Sequence, residues 1–281
     1  MDIKTDQELS VLIDRATKGD KQALEAVLAH VQDLVFNLSL RMLGTFPDAE
    51  DASQDILLKV ITHLSSFRGD SAFSTWVFRI AVNHLRDYKK HMFAHAPLSF
   101  EFYGDDIQNG KLEDVPDLTQ NTEKAILAEE LKLSCTNVML QCLDPESRCV
   151  FILGTMFRLD SRIAGEILNM TPEAYRQRLS RVRKKMAEFL SEYCSAYGRG
   201  ACRCADRVNY AIRNHRISPD RLTFTTVKPC DTVLAVTQAM KEIDDYSQQF
   251  SFCRTYRSPE RLTRMLRDLL SGPAFSTVVD A

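Results

Sequence analysis

The feature that most constrains this chain is the spacing of its apolar residues. From about residue 7 to 92, and again from Thr122 to about Tyr193, they recur three and four positions apart, and no run alternates apolar with polar over strand length. That period predicts an all-α protein. Turn and capping signals divide the first run at Lys18-Gly19-Asp20, at Gly44-Thr45-Phe46-Pro47 and at Phe67-Arg68-Gly69-Asp70. The second run breaks at Leu143-Asp144-Pro145, where Asp144 suits an N-cap and Pro145 the first helical position. Between the runs, residues 95–122 hold two Pro and two Gly and lose the helical period, as a linker does. With roughly 150 residues per domain as a guide, the 281 residues divide into helical domains over 1–94 and 123–193, the linker over 95–122, and an appended segment over 194–281.

Over the whole chain 36 Lys and Arg nearly balance 38 Asp and Glu, a formal charge of -2 that by itself advertises no polyanionic partner. The balance is a cancellation. Residues 97–123 carry Glu101, Asp105, Asp106, Glu113, Asp114, Asp117 and Glu123 against Lys111, a net -6. Thr171 to Lys185 carries four Arg and two Lys against Glu173, a net +5. No stretch approaches the roughly 18 consecutive apolar residues of a membrane span. The start MDIKTDQELS lacks the basic flank and apolar core of a leader, so a cytoplasmic protein without membrane insertion is expected.

The basic stretch is the best-defined motif. Thr171 caps it, Pro172 takes the first position, and Tyr175, Leu179, Val182, Met186 and Phe189 form a buried stripe that leaves Glu173, Arg176, Gln177, Ser180 and Lys184 outward. Upstream, Ser161 to Leu168 is a short helix with small Ala164 and Gly165, joined through Asn169-Met170. Short helix, tight turn and basic helix make a helix-turn-helix, whose second helix enters the major groove N-terminus first. Arg can grip guanine there and Gln adenine.

Two helices of the first domain also carry patterned polar faces. After Phe67, the residues Phe73, Trp76, Val77, Ile80, Leu85 and Tyr88 make an apolar stripe, and Arg79, Asn83, Arg86 and Lys90 recur on the opposite side. Cations with an amide suit a nucleic-acid strand, while an ordinary solvated face fits the same spacing. Trp76, spaced with Phe73 and Ile80, reads as a core residue. In the preceding helix, Asp48, Asp51 and Asp55 line a face opposite Ile56, Leu57, Val60, Ile61 and Leu64. Carboxylates in a first turn suit the helix dipole. No His or Cys joins them at ligand spacing, which argues against an enzyme site.

The run from Asp48 to Lys90 closely resembles region 2 of the extracytoplasmic-function (ECF) sigma factors of bacterial RNA polymerase, within the sigma-70 family, and residues 143–189 resemble their region 4. The resemblance implies an alternative sigma factor for transcription initiation, with no catalytic residues and no required cofactor. Its implied partners are core RNA polymerase, promoter DNA and an anti-sigma factor. Asp48, Glu50, Asp51, Gln54 and Asp55 match the family segment that binds the clamp helices of the largest catalytic polymerase subunit. Arg68, Gly69, Asp70, Ser71, Arg79, Asn83, Arg86 and Lys90 match the part that opens the -10 element and captures a flipped base. Glu173, Arg176, Gln177, Arg178, Ser180, Arg181 and Lys184 fall where the family contacts the -35 element, although Glu173 stands where many members have Gly and Tyr175 where they have Val. The family's linker threads the polymerase channels, where a -6 charge would mimic nucleic acid.

Past region 4 the chain continues. Cys194, Cys202 and Cys204, with His215, supply the donors of a tetrahedral zinc site, and Cys230 or Cys253 could replace the histidine. A similar cysteine cluster follows region 4 in a subgroup of these sigma factors, so zinc binding and redox sensing stand beside unremarkable thiols. Cys135, Cys142 and Cys149 read as core fillers. The amphipathic stretch Pro259 to Leu270 presents Leu262, Met265, Leu266, Leu269 and Leu270, for docking on the helical domains or for a partner. Two competing readings remain: a stand-alone, cysteine-controlled helix-turn-helix regulator, and a metal-dependent enzyme domain, the latter lacking a Glu or Asp general base beside the thiols.

Overall fold

The computed structural model describes residues 6–88, 98–109, 117–119, 122–225 and 256–271. Its regular structure is helical, with no strand among the described residues. The chain forms two compact units, Met1–Lys90 with Tyr256–Ala281, and His91–Thr255.

In the first unit, α1 (Asp6–Thr17), α2 (Lys21–Leu43), α3 (Phe46–His63) and α4 (Phe73–Tyr88) surround one apolar core. Their ends lie at the breaks read from the sequence. Asp20 caps α2 by accepting from the Gln22 and Ala23 N–H groups at 3.0 and 3.1 Å. Gly44, at φ 89°, closes it through an N–H bond to the Leu40 carbonyl at 2.8 Å, a left-handed end that favours glycine. The next residue, Thr45, caps α3 by accepting from the Asp48 N–H. On length and composition α2 could cross a membrane, but most of it is packed inside this unit, with Val27, Val35, Phe36, Leu38 and Leu40 wholly buried.

The second unit contains α5 (Phe100–Asn109), α6 (Lys124–Gln141), α7 (Pro145–Phe151), α8 (Ser161–Leu168), α9 (Pro172–Tyr193) and the short α10 (Val208–Arg213). The break at Asp144 is held twice. Asp144 caps α7 through the Ser147 N–H at 2.9 Å, and the buried Arg148 guanidinium donates to the Leu140, Gln141 and Leu143 carbonyls at 2.6, 3.1 and 2.8 Å, occupying acceptors that the end of α6 leaves open. Burial lowers the pKa of that guanidinium to about 10. Between α8 and α9 the turn is tight because Gly165 has no side chain. A Cβ there would lie 2.7 Å from the Met170 carbonyl oxygen.

Two expectations are revised. Residues 95–122 are not devoid of helix: α5 lies within them and packs on α9, with Phe100 and Tyr103 at ring distances of 5.2 and 5.6 Å from Phe189. Phe100, Tyr103 and Ile107 form a helical stripe that the surrounding acids obscured. The appended segment 194–281 is also divided. Residues 194–225 belong to the second unit, whereas 256–271, with α11 (Glu260–Ser271), belong to the first.

Candidate nucleic-acid interface

On α3 the acidic residues play unequal parts. Asp51 and Asp55 are exposed, Gln54 and Glu50 are half-buried, and Asp48 is bonded to the hydroxyl of its own cap, Thr45. Asp55 lies 3.7 Å from His84 Nε2 on α4, whose Nδ1 is 2.8 Å from Lys59 Nζ. Lys59, His63, Ser66, Trp76, Ile80, Asn83 and His84 line a cleft of about 470 Å³. Sequence reasoning missed Lys59, His63 and His84. The available signals were the i, i+4 spacing of the first two and the adjacency of His84 to Asn83.

Beside this cleft, Phe67, Phe73 and Trp76 form an aromatic cluster, with ring distances of 5.2 to 5.6 Å. Phe73 is buried. Trp76 is only half-buried, stacked on Phe73 and also lining the cleft, so it is not wholly a core residue as its spacing suggested. Asn83 and Arg86 are exposed, Arg79 is half-buried, and Arg68, Gly69 and Asp70 lie on an exposed turn followed by half-buried Ser71. Gly69 adopts φ 77° there. Lys90 lies outside the described residues.

On α9, Glu173, Arg176, Gln177, Ser180, Arg181 and Lys184 are exposed. Arg176 donates to Ser161 Oγ of α8 at 3.0 Å, and Gln177 to Glu173 at 3.4 Å. Arg178 differs from its neighbours: it turns back to α7, 2.8 Å from Glu146 and 3.3 Å from Asp144. At Asp144 burial raises the carboxyl pKa, but hydrogen bonds from Ser147 and the Arg178 charge outweigh it and hold the group below its usual range. Arg178 thus ties α9 to α7 while keeping 29% of its side chain exposed. Arg181 and Lys185 line a shallow cleft of about 310 Å³ with Arg178, Asp144 and Ser147.

The cysteines group differently from their sequence order. Cys194 and Cys202 face each other across a single β-bridge, with Cys202 N–H bonded to the Tyr193 carbonyl at 3.0 Å and Ser195 N–H to the Cys202 carbonyl at 3.1 Å. Gly200 permits this closure, since a Cβ there would overlap the Tyr193 backbone. Cys135 joins the same neighbourhood from α6, accepting the Tyr103 hydroxyl at 3.1 Å, while Cys142 and Cys149 are buried as expected of core fillers. Burial pushes the Cys135 thiol up to about 12 and Cys202 to about 11, and it raises Cys204 as well. Such thiols stay protonated at neutral pH and are poor nucleophiles. Among the described residues no group of three or more His, Cys, Asp or Glu side chains is placed to hold a metal ion. The expected set of Cys194, Cys202, Cys204 and His215 is thus not assembled. His215 is exposed on a left-handed turn that ends α10. Cys230 and Cys253 lie outside the described residues.

The acidic linker is also partly neutralised. Asp106 accepts from the Tyr210 hydroxyl at 2.7 Å, from Arg216 at 2.5 Å and from Arg207 at 3.3 Å. Its side chain is only 13% exposed, and this carboxylate holds α5 to the segment after Cys204. Asp105 is exposed, and Glu113 and Asp114 lie outside the described residues.

Residues 27–91 match the family described as sigma-70 region 2. The chain is 30% identical over 184 residues to the ECF RNA polymerase sigma-E factor of Escherichia coli, covering 64% of this chain and 91% of that protein. It is 26% identical over 192 residues to the RNA polymerase sigma-H factor of Pseudomonas aeruginosa, covering 66% and 95%. A solved structure of CnrH in complex with the cytosolic domain of CnrY is similar at 23% identity and a TM-score of 0.47, over 64% of this chain and 95% of that one. The chain belongs to the extracytoplasmic-function sigma factors of the sigma-70 family. As a sigma factor it is a transcription initiation factor.

Proposed function

We propose that this sigma factor binds core RNA polymerase through the acidic face of α3, opens the -10 element at the cleft beside Asn83, and reads the -35 element with the exposed face of α9. The observation that carries the reading is that each unit presents its own polar face: the first an amide and aromatic cleft, the second a helix-turn-helix with exposed Arg and Gln. An unstacked base entering the cleft would meet the Trp76 ring and the donors of Asn83 and Lys59. Duplex DNA would meet Arg176, Gln177 and Arg181 in the major groove. Core polymerase and promoter DNA lie in the bacterial cytoplasm, where the chain would act without a required cofactor and where an anti-sigma domain could reach it.

The test is transcription by purified core enzyme on a promoter library, with and without this protein. Specific initiation only in its presence is expected. Asn83→Ala is expected to lower open-complex formation about tenfold, the size of one base contact. Arg181→Ala should weaken duplex binding and reduce its salt slope by about one. Arg178→Ala should leave that slope unchanged. Binding of duplex DNA by the chain alone, with no added initiation, would instead identify a stand-alone regulator.

A further inference from the structure

Residues 256–271 lie on the helices of the first unit that include α3. Tyr256 is wholly buried, its N–H donating to Asn37 Oδ1 and its carbonyl accepting from Asn37 Nδ2, both at 2.7 Å. Its ring meets Phe46, the first residue of α3, edge-on at 5.6 Å, with the Arg41 guanidinium 5.6 Å from its centre. Ser258 donates from its N–H and its hydroxyl to Asp33 at 2.8 Å, and Gln32 donates to Thr263 at 2.7 Å. From there α11 buries Leu262, Leu266 and Leu270 and packs against α2 and α3.

This contact reaches an acidic residue assigned to polymerase. Arg261 lies 3.9 Å from Glu50, whose side chain is only 23% exposed. Arg257, Arg261, Arg264 and Arg267 against Glu260 and Asp268 leave the segment net basic where it meets an acidic helix. Asp51 and Asp55 remain exposed, so the face is covered in part. We propose that Tyr256–Ser271 is a built-in competitor of core RNA polymerase: it occupies the start of α3, and polymerase engages that helix fully only once the segment has left. The inference rests on the reading that α3 binds polymerase. A segment that is closed for nine-tenths of the time or more lowers apparent affinity about tenfold or more, because only the open fraction is competent.

The full chain carrying Leu262→Asp and Leu266→Asp, compared with wild type for affinity to core polymerase, tests the proposal. Binding about tenfold tighter is expected, and equal or weaker binding by a folded variant would overturn it. Hydrogen exchange on the wild-type protein gives a readout independent of the variant's folding. Polymerase should raise protection over residues 46–55 and lower it over 256–271, and retained protection over 256–271 would overturn the proposal. If neither protein binds polymerase, the assignment of α3 itself fails. If both bind equally, only the competitor fails.

Discussion

The two parts of the carboxyl-terminal segment are attached by different means. Residues 204–225 are fixed to the second unit by an apolar cluster, in which Val208, Ala211 and Ile217 pack on Leu127 and Leu131 of α6, and by charges withdrawn from water. Asp106 is enclosed by Arg207, Arg216 and Tyr210, and the carboxylate of Glu130, 2% exposed, accepts the N–H groups of Thr223, Phe224 and Thr225 at 2.6 to 3.0 Å. Residues 256–271 are held on the first unit by three leucines, a tyrosine and hydrogen bonds to α2, with the Arg261–Glu50 and Arg267–Glu25 ion pairs at the rim. The first mode cannot be loosened by degrees, since removing one partner strands the others in a poorly hydrated site. The second consists mostly of apolar area, which a competing protein surface can replace. The contrast marks one part as structure and the other as a candidate switch.

Removal of the Asp106 carboxylate should break the first mode most severely. Asp106→Ala leaves Arg207 nearly buried beside a second guanidinium, and a loss of about 3 kcal/mol is expected. That is the lower end for a buried pair, because the Arg216 side chain keeps 26% exposure. Hydrogen exchange over residues 204–225 checks it. The same carboxylate gives the contact a pH dependence. Burial raises its pKa, but the bonds from Arg216 and Tyr210 and the two Arg charges outweigh this, so the folded value lies below the ordinary one. A depressed carboxylate stabilises the fold above about pH 4 and loses that contribution as pH falls through the folded value. Exchange over 204–225 should accordingly accelerate in wild type as the pH falls below the ordinary carboxylate value of about 4, beyond any change in Asp106→Ala. Glu130→Gln should cost about 2 kcal/mol, since an amide has one acceptor oxygen for the same donors and turns an NH₂ toward them. Loss of protection at Thr223–Thr225 measures it.

The helical framework was legible because its signals are local. Asp20, Gly44, Thr45, Asp144 and Thr171 act on backbone groups within four residues, and each terminates or starts a helix where the sequence suggested. The exposed residues of α9 were legible for the same reason, being fixed by the phase of one helix. Arg178 was not, because its partners Asp144 and Glu146 lie more than thirty positions away. The partners of Asp106 and Cys135 were hidden on the same ground. An acidic linker and a core thiol are sound local readings until residues 194–216 fold against them. The α5 helix was hidden because composition outweighed three well-spaced aromatic and aliphatic residues.

The smallest expected effect tests the second mode. Arg261 is 85% exposed and its oxygen partner on Glu50 lies 3.9 Å away, a rim pair worth at most about 1 kcal/mol. Arg261→Ala should thus leave the unit folded and, if the segment competes with polymerase, tighten polymerase binding by no more than about fivefold, the factor to which 1 kcal/mol corresponds. Because exposed charges are screened within about 8 Å at physiological ionic strength, that gain should disappear in high salt. The contribution of Leu262 and Leu266 should not, since apolar burial is not screened by ions. Titration of polymerase affinity against salt for Arg261→Ala and Leu266→Ala separates them. A salt-independent gain from Arg261→Ala would mean that the arginine acts through the packing of its aliphatic stem, and that even the rim of this contact is held by area rather than charge.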